Sequence, residues 1–133
     1  MKEIIAVIGK NFGDEGKGQT VNDLCRDGSA LVVRHNGGAQ AGHTVEEGDF
    51  RFVFHQRGSG SYRGCPTFWA RTFLPDLLKL GEEMEALAAF SPITHVHASR
   101  DCACTTVYDV LLNSITETLR GAQKHGSCGM GIF

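Results

Sequence analysis

The sequence predicts an α/β fold, a mostly parallel sheet with flanking helices, and three observations carry that prediction. Short apolar runs alternate with amphipathic stretches along the chain, glycine-rich loops follow the first two runs, and no repeat or linker interrupts the alternation. The 133 residues, 41% hydrophobic and 21% charged, have the composition of one ordinary globular domain covering residues 1–133.

The elements follow in order. Ile4-Ile5-Ala6-Val7-Ile8 is continuously apolar and is expected to be a buried strand, followed by a helix over residues 17–26 with Val21, Leu24 and Cys25 on one side. Residues 30–34 form the next strand. Residues 44–45 and 50–55, separated by Glu46-Glu47-Gly48-Asp49, read as a hairpin with Phe50, Phe52 and Phe54 on one face. Residues 57–64 are a polar, glycine-rich loop, and residues 67–73 a strand. Pro75 suits the first turn of the clearest helix, residues 75–89, whose stripe of Leu77, Leu78, Leu80, Met84 and Leu87 is expected in the core. A strand over residues 93–98 and a helix over 106–120, amphipathic through Val107, Val110, Leu111, Ile115 and Leu119, complete the series. A sheet of this kind normally continues. The last residues, 126–133, are a glycine loop with no element after it, so the architecture is expected to be incomplete at its C-terminal end and to expose apolar surface.

The chemistry starts at Gly13-Asp14-Glu15-Gly16-Lys17-Gly18, between the first strand and the first helix. Glycines let successive backbone N–H groups turn toward one point, the helix start adds its dipole, and the lysine supplies a mobile cation, so the segment predicts a P-loop-like phosphate site. It is not a Walker A loop, because Asn11 and Gly18 stand where a glycine and a Ser or Thr belong, and its glycine order fails the dinucleotide fingerprint. Two carboxylates do not help to hold polyphosphate, so Asp14 or Glu15 is expected to bind a cation or take a proton. The alternative is a glycine-rich, charged turn without a ligand. After residues 31–34 comes a second loop, His35-Asn36-Gly37-Gly38-Ala39-Gln40-Ala41-Gly42-His43-Thr44. Loops at the carboxyl ends of parallel strands lie side by side, so Asp14, Lys17 and His43 are expected to converge on one crevice.

Charge and composition exclude other classes. Thirteen Lys+Arg against fifteen Asp+Glu leave no basic field for a nucleic-acid backbone. No stretch approaches the roughly 18 apolar residues of a membrane helix, and the apolar start is shorter than a signal-peptide core, so no membrane association and a cytoplasmic location are expected. Five cysteines without C-x-x-C spacing make no disulfide framework. His95-Val96-His97 with Cys102-Ala103-Cys104 admits a zinc site, but the spacing is wrong for common structural sites and ordinary strand and loop residues are the favoured reading.

These motifs carry a resemblance. G-D-E-G-K-G after an apolar run, then V-V-R-x-x-G-G-x-x-A-G-H-T, is similar to the amino-terminal part of the adenylosuccinate synthetase family, GTP-dependent ligases that join IMP and L-aspartate. Phe73-Leu74-Pro75 before a helix, and Arg120-Gly121-Ala122 leading to Gly126-Ser127-Cys128-Gly129-Met130-Gly131-Ile132, resemble further family segments in the same order. Family members are several times longer, and the segments that recognise guanine, bind aspartate and complete the IMP pocket have no counterpart in these residues.

The resemblance implies roles. Asp14 is the base that removes the purine ring proton and, with the Gly42 carbonyl, a ligand of Mg²⁺. Lys17 and the backbone N–H groups of Glu15, Gly16, Lys17 and Gly18 bind phosphate oxygens, and His43 contacts the transferring phosphoryl group; a loop histidine closing a strand end and a solvated lysine are the alternatives. Gly13, Gln19, Gln40, Ala41, Thr44 and Cys128 complete the implied nucleotide contacts. The resemblance further implies a homodimer. Three positions depart from the family: Gln40 for asparagine, Cys128 for a threonine on the IMP phosphate, and Met130 for an arginine. All lie on the substrate side. They leave two further readings, a non-catalytic nucleotide- or phosphate-binding module and a ligase of another purine monophosphate.

Overall fold

In a computed structural model, which describes residues 3–90 and 94–132, the chain forms three helices, α1 (Lys17–Leu24), α2 (Leu77–Ala88) and α3 (Val107–Arg120), and five strands, β1 (Val32–Arg34), β2 (His43–Glu47), β3 (Phe50–Phe54), β4 (Thr67–Trp69) and β5 (Val96–Ala98). Strands β1, β4 and β5 make a parallel sheet in that order, in register Val32↔Thr67 and Thr67↔Val96. Strands β2 and β3 pair as an antiparallel hairpin, with His43 opposite Phe54. The predicted α/β class, parallel sheet and hairpin are therefore present. Ile93, placed in a strand by the periodicity, lies outside the described residues.

Local sequence sets the helix boundaries. Asp76, ahead of α2, accepts from the N–H groups of Leu78 and Lys79 at 3.0 and 3.1 Å, and Thr106 with Asp109 forms a reciprocal capping box on α3. The core gathers Val45, Phe50, Phe54 and Leu87, with Phe52 and Tyr62 packed against it. The Phe50 and Tyr62 rings stack at 4.0 Å between centroids.

Three expectations are corrected. Residues 4–8 form no strand, and Ile4 and Ile8 are 98% and 86% exposed. A parallel strand is stabilised by a ladder partner and by cover on both faces, and the described residues supply neither to this segment. The apolar stripes are only partly core: Leu87 is buried, whereas Leu77, Leu78, Leu111, Ile115 and Leu119 are exposed, as is Leu24 on α1. Helix α1 instead buries Gly18, Asn22 and the adjoining Cys25, small side chains that allow close approach.

The third correction concerns residues 57–64, expected as a polar, glycine-rich loop. They include a 3₁₀ turn, Ser59–Arg63, and Arg57, Ser59 and Ser61 are buried beside Gln56. The Glu83 carboxylate on α2 accepts from the backbone N–H groups of His55, Gln56 and Arg57 at 2.7, 2.9 and 2.8 Å. The Thr67 hydroxyl accepts from Gly58 N–H at 2.9 Å, and the Trp69 indole donates to the Gln56 carbonyl at 2.8 Å. Gly60 fits because a Cβ there would stand 2.5 Å from Cys25 Sγ. A polar segment can be buried once its backbone is hydrogen-bonded, and here Glu83 takes the Arg57 N–H, Thr67 the Gly58 N–H, and the 3₁₀ turn the N–H groups of Ser61 and Gly64.

Candidate functional site

The first glycine loop ends in a helix start. Gly13 and Gly16 take φ of 98° and 74°, a left-handed conformation that other residues adopt at a cost. Gly16 is the N-cap of α1 and no side chain caps the first turn, where the positive end of the helix dipole lies. Asp14 in the turn is exposed. The Glu15 carboxylate takes the Asn11 N–H at 2.6 Å and the Lys17 ammonium at 2.8 Å. Lys17 and the Asn11 N–H hold the Glu15 carboxyl down at about 2. The cation expected to meet phosphate thus rests against a neighbouring carboxylate on the loop itself.

The second loop meets the first. A Cβ on Gly18 would stand 2.6 Å from the Thr44 carbonyl oxygen and 2.9 Å from the His43 carbonyl carbon, so the first turn of α1 lies directly on the start of β2. Gln19 strengthens that seam by accepting from Glu46 N–H at 2.9 Å through its side-chain oxygen. That oxygen is therefore committed within the protein, and any ligand contact by Gln19 falls to its amide nitrogen, 3.5 Å from Asp23 Oδ1. Lys17 lies near enough to His43 to oppose its protonation. The two loops are thus in contact through Gly18 against His43 and Thr44, while Asp14 is exposed.

Substituting Ala for Gly18 tests this seam. The added methyl meets backbone atoms rather than a yielding side chain, so α1 must move off β2, which costs about 1–3 kcal/mol. Denaturant midpoints of the variant should fall accordingly, and its affinity for inorganic triphosphate should fall with them. Unchanged values for both would mean that the loops do not touch.

His43 is partly buried, and burial, followed by Arg34, Lys17 and His55, pushes its pKa down to about 4, so it is neutral near pH 7. Sequence reasoning missed Arg34, which stands at the end of β1 and is 4% exposed. Its Nη1 contacts His43 Nδ1 and lies 3.2 Å from Nε2, its Nη2 donates to the His55 carbonyl at 2.9 Å, and its guanidinium stacks 4.9 Å from the Phe73 ring centroid. The signal was a charged residue closing an apolar run in a sheet whose ends carry the loops.

The third motif reaches the second loop from the other side. A Cβ on Gly38 would stand 2.6 Å from Ile132 Cδ1, and a cleft of about 440 Å³ is lined by residues that include Ala39, His55, Lys79, Glu83 and Met130. Ala41 N–H closes the second loop on the Gly38 carbonyl at 3.1 Å. Gln40, Gly42 and Cys128 are exposed, and Thr44 is partly buried. Asp14 and the Gly42 carbonyl offer oxygen donors, the set that Mg²⁺ takes alongside water and substrate phosphate. Among the described residues no group of three or more His, Cys, Asp or Glu is placed to hold a metal ion. The Cys102 thiol is spent on the Phe73 carbonyl at 3.2 Å, and the His95 and His97 rings stand 6.2 Å apart.

A parallel α/β layer whose glycine loop opens a helix against a second glycine loop is the arrangement of a nucleotide-binding α/β fold. The family model described as adenylosuccinate synthetase matches residues 6–133, and the chain belongs to that family. Among curated relatives it is 33% identical over 129 residues to the adenylosuccinate synthetase of Borrelia duttonii (strain Ly), covering 97% of this chain and 30% of that protein. It is 35% identical over 130 residues to that of Leifsonia xyli subsp. xyli, covering 96% of this chain and 30% of that protein. The solved structure of fully ligated adenylosuccinate synthetase from Plasmodium falciparum superposes with a TM-score of 0.71 at 27% identity, over 90% of this chain and 28% of that one. The chain thus spans about 30% of the length of the curated relatives it matches. No helix among the described residues is long and apolar enough to cross a membrane.

Proposed function

We propose that this chain forms the phosphate-binding corner of a ligase that joins IMP to L-aspartate at the expense of GTP. The observation that supports this most directly is the seating of Gly18 on His43 and Thr44, which brings the uncapped start of α1, Lys17 and a neutral histidine to one place. Backbone N–H groups and a lysine are suited to hold phosphate oxygens, while Asp14 beside them is suited to take the ring proton of a purine lactam. Removing that proton makes the lactam oxygen a nucleophile toward the terminal phosphoryl group, and the phosphorylated oxygen then leaves as aspartate nitrogen attacks. His43, uncharged and carrying one N–H, donates to the transferring group and steadies its developing charge. Lys17 must leave Glu15 to reach that group. Mg²⁺, held by Asp14 and the Gly42 carbonyl together with substrate phosphates, supplies further charge neutralisation when bound. In this reading the whole protein is a cytoplasmic homodimer, and residues 1–133 alone bind phosphate without turnover.

Titration of the chain with GTP and with ATP, each with Mg²⁺, tests the division of labour. The phosphate contacts are local to residues 13–18 and 42–44 and nothing in them reads a base, so both nucleotides should bind weakly and alike by calorimetry. No binding of either, or a strong preference for GTP, would overturn the assignment.

A second reading, a ligase for another purine monophosphate, is favoured by the chemistry on the substrate side. Met130 presents an apolar side chain to the cleft beside Ala39, and Cys128 offers a thiol, a weaker donor than a hydroxyl. Cys128→Thr in the protein that contains this chain should tighten IMP by about tenfold, since a hydrogen bond to a charged group is worth roughly 1.5–3 kcal/mol. GTP binding should stay as it was. Weaker or unchanged IMP affinity would favour the other monophosphate.

A further inference from the structure

We infer that His55 is a positioning residue, whose imidazole fastens the second half of the second glycine loop, residues 39–42, in the shape the phosphate site uses. This rests on the proposed part of that loop in binding phosphate and adds the side chain that holds it there. The first half of the loop is fastened from elsewhere: the Leu74 N–H donates to the Gly37 carbonyl at 2.9 Å, and the Thr72 hydroxyl to the His35 carbonyl. Beyond Gly38 the support changes. Among the described residues, the hydrogen bond that ties residues 39–42 to another element runs from His55 Nδ1 to the Ala39 carbonyl, at 2.8 Å. A carbonyl oxygen only accepts, so the ring nitrogen facing it donates.

The same ring meets the loop by packing. A Cβ on Gly42 would stand 3.2 Å from His55 Cε1 and 2.8 Å from Val53 Cγ1, so the Gly42 backbone lies against two side chains spaced two residues apart at the end of β3. His55 is itself held through both of its backbone groups. Glu83 Oε2 accepts from its N–H at 2.7 Å, and Arg34 Nη2 donates to its carbonyl at 2.9 Å. Neither bond uses the side chain, so a substitution at 55 can keep both and remove the ring contact alone. Helix α2, strand β1 and the hairpin thus place one imidazole, and the imidazole places the loop. A loop already ordered when the ligand arrives loses no freedom on binding, whereas a loose one must first be ordered, at a cost in affinity.

The test compares three variants of the chain. His55→Phe keeps a flat ring without a donor, His55→Asn puts an amide N–H where Nδ1 stands, and His55→Gln puts one where Nε2 stands. Backbone ¹H–¹⁵N spectra report on residues 39–43, and calorimetry with inorganic triphosphate and Mg²⁺ reports on the site. In His55→Phe the signals of residues 39–43 should move or broaden while those of α3 stay, and the triphosphate Kd should rise about three- to tenfold, the worth of one hydrogen bond. His55→Asn should bring both readings back toward the wild type, and His55→Gln neither. A general loss of stability would instead disturb signals throughout the chain and would not distinguish Asn from Gln. Wild-type loop signals and affinity in a folded His55→Phe, or equal behaviour of the Asn and Gln variants, would overturn the inference. Should His55→Phe fail to fold, the contrast between Asn and Gln decides it. Wild-type signals of residues 39–43 that ignore triphosphate, in a loop that still answers to His55, would refute the part of the loop in phosphate binding and leave its fastening by His55 standing.

Discussion

Asp14→Asn should reduce formation of the IMP–aspartate adduct by about 10²- to 10⁴-fold in the protein that contains this chain, the usual contribution of a general base. An amide cannot take a proton from the purine ring and is a poorer ligand for a hard cation than a carboxylate. Asp14 is exposed in a turn whose conformation rests on Gly13 and Gly16, so the substitution should leave the unfolding midpoint almost unmoved. That separation of rate from stability is what makes the test informative. Retention of more than about a tenth of the normal rate would remove Asp14 from the catalytic role. The rate should be followed at saturating GTP and IMP, so that weakened binding is not mistaken for lost chemistry.

Glu83→Ala should act in the opposite way, on the fold before the chemistry. The carboxylate takes three backbone N–H groups within 2.9 Å, and its removal leaves those donors buried without a partner. An orphaned buried donor costs about 1–3 kcal/mol, and some rearrangement around the cavity will recover part of the sum, so a loss of roughly 3–5 kcal/mol is expected. For a chain of this size that is about 10–20 °C in Tm by thermal denaturation. Glu83→Gln, which keeps an acceptor oxygen but not the charge, should lose less. Equal stability of the alanine variant and the wild type would show that solvent or other groups take over these N–H bonds.

The two glycine loops and their order were readable because each needs a residue type that nothing else replaces. Gly13 and Gly16 occupy left-handed backbone, and Gly18 has no room for a methyl. The alternation of strand and helix was equally legible, since periodicity of 2 or 3.6 is a local property. Three things were not. The apolar run at residues 4–8 has the composition of a strand but no partner among the described residues, and pairing is not written into a single segment. The segment at 57–64 read as a loop because it is polar and glycine-rich, and its burial rests on partners elsewhere in the chain, Glu83 for the Arg57 N–H and Thr67 for the Gly58 N–H. Arg34 looked like the end of a strand, and its meaning came from His43 nine residues later and from the Phe73 ring.

Local chemistry therefore determined the kind of site: which backbone turns are possible, where helices begin, and which side chains can hold a phosphate or take a proton. Long-range packing decided which of those groups meet. It seated α1 on β2, committed the Gln19 oxygen to Glu46, and set a buried guanidinium on His43. The physical reason is one of range. Glycine conformations and helix caps are settled within a few residues, whereas burial of a polar group depends on a partner that any distance along the chain can supply.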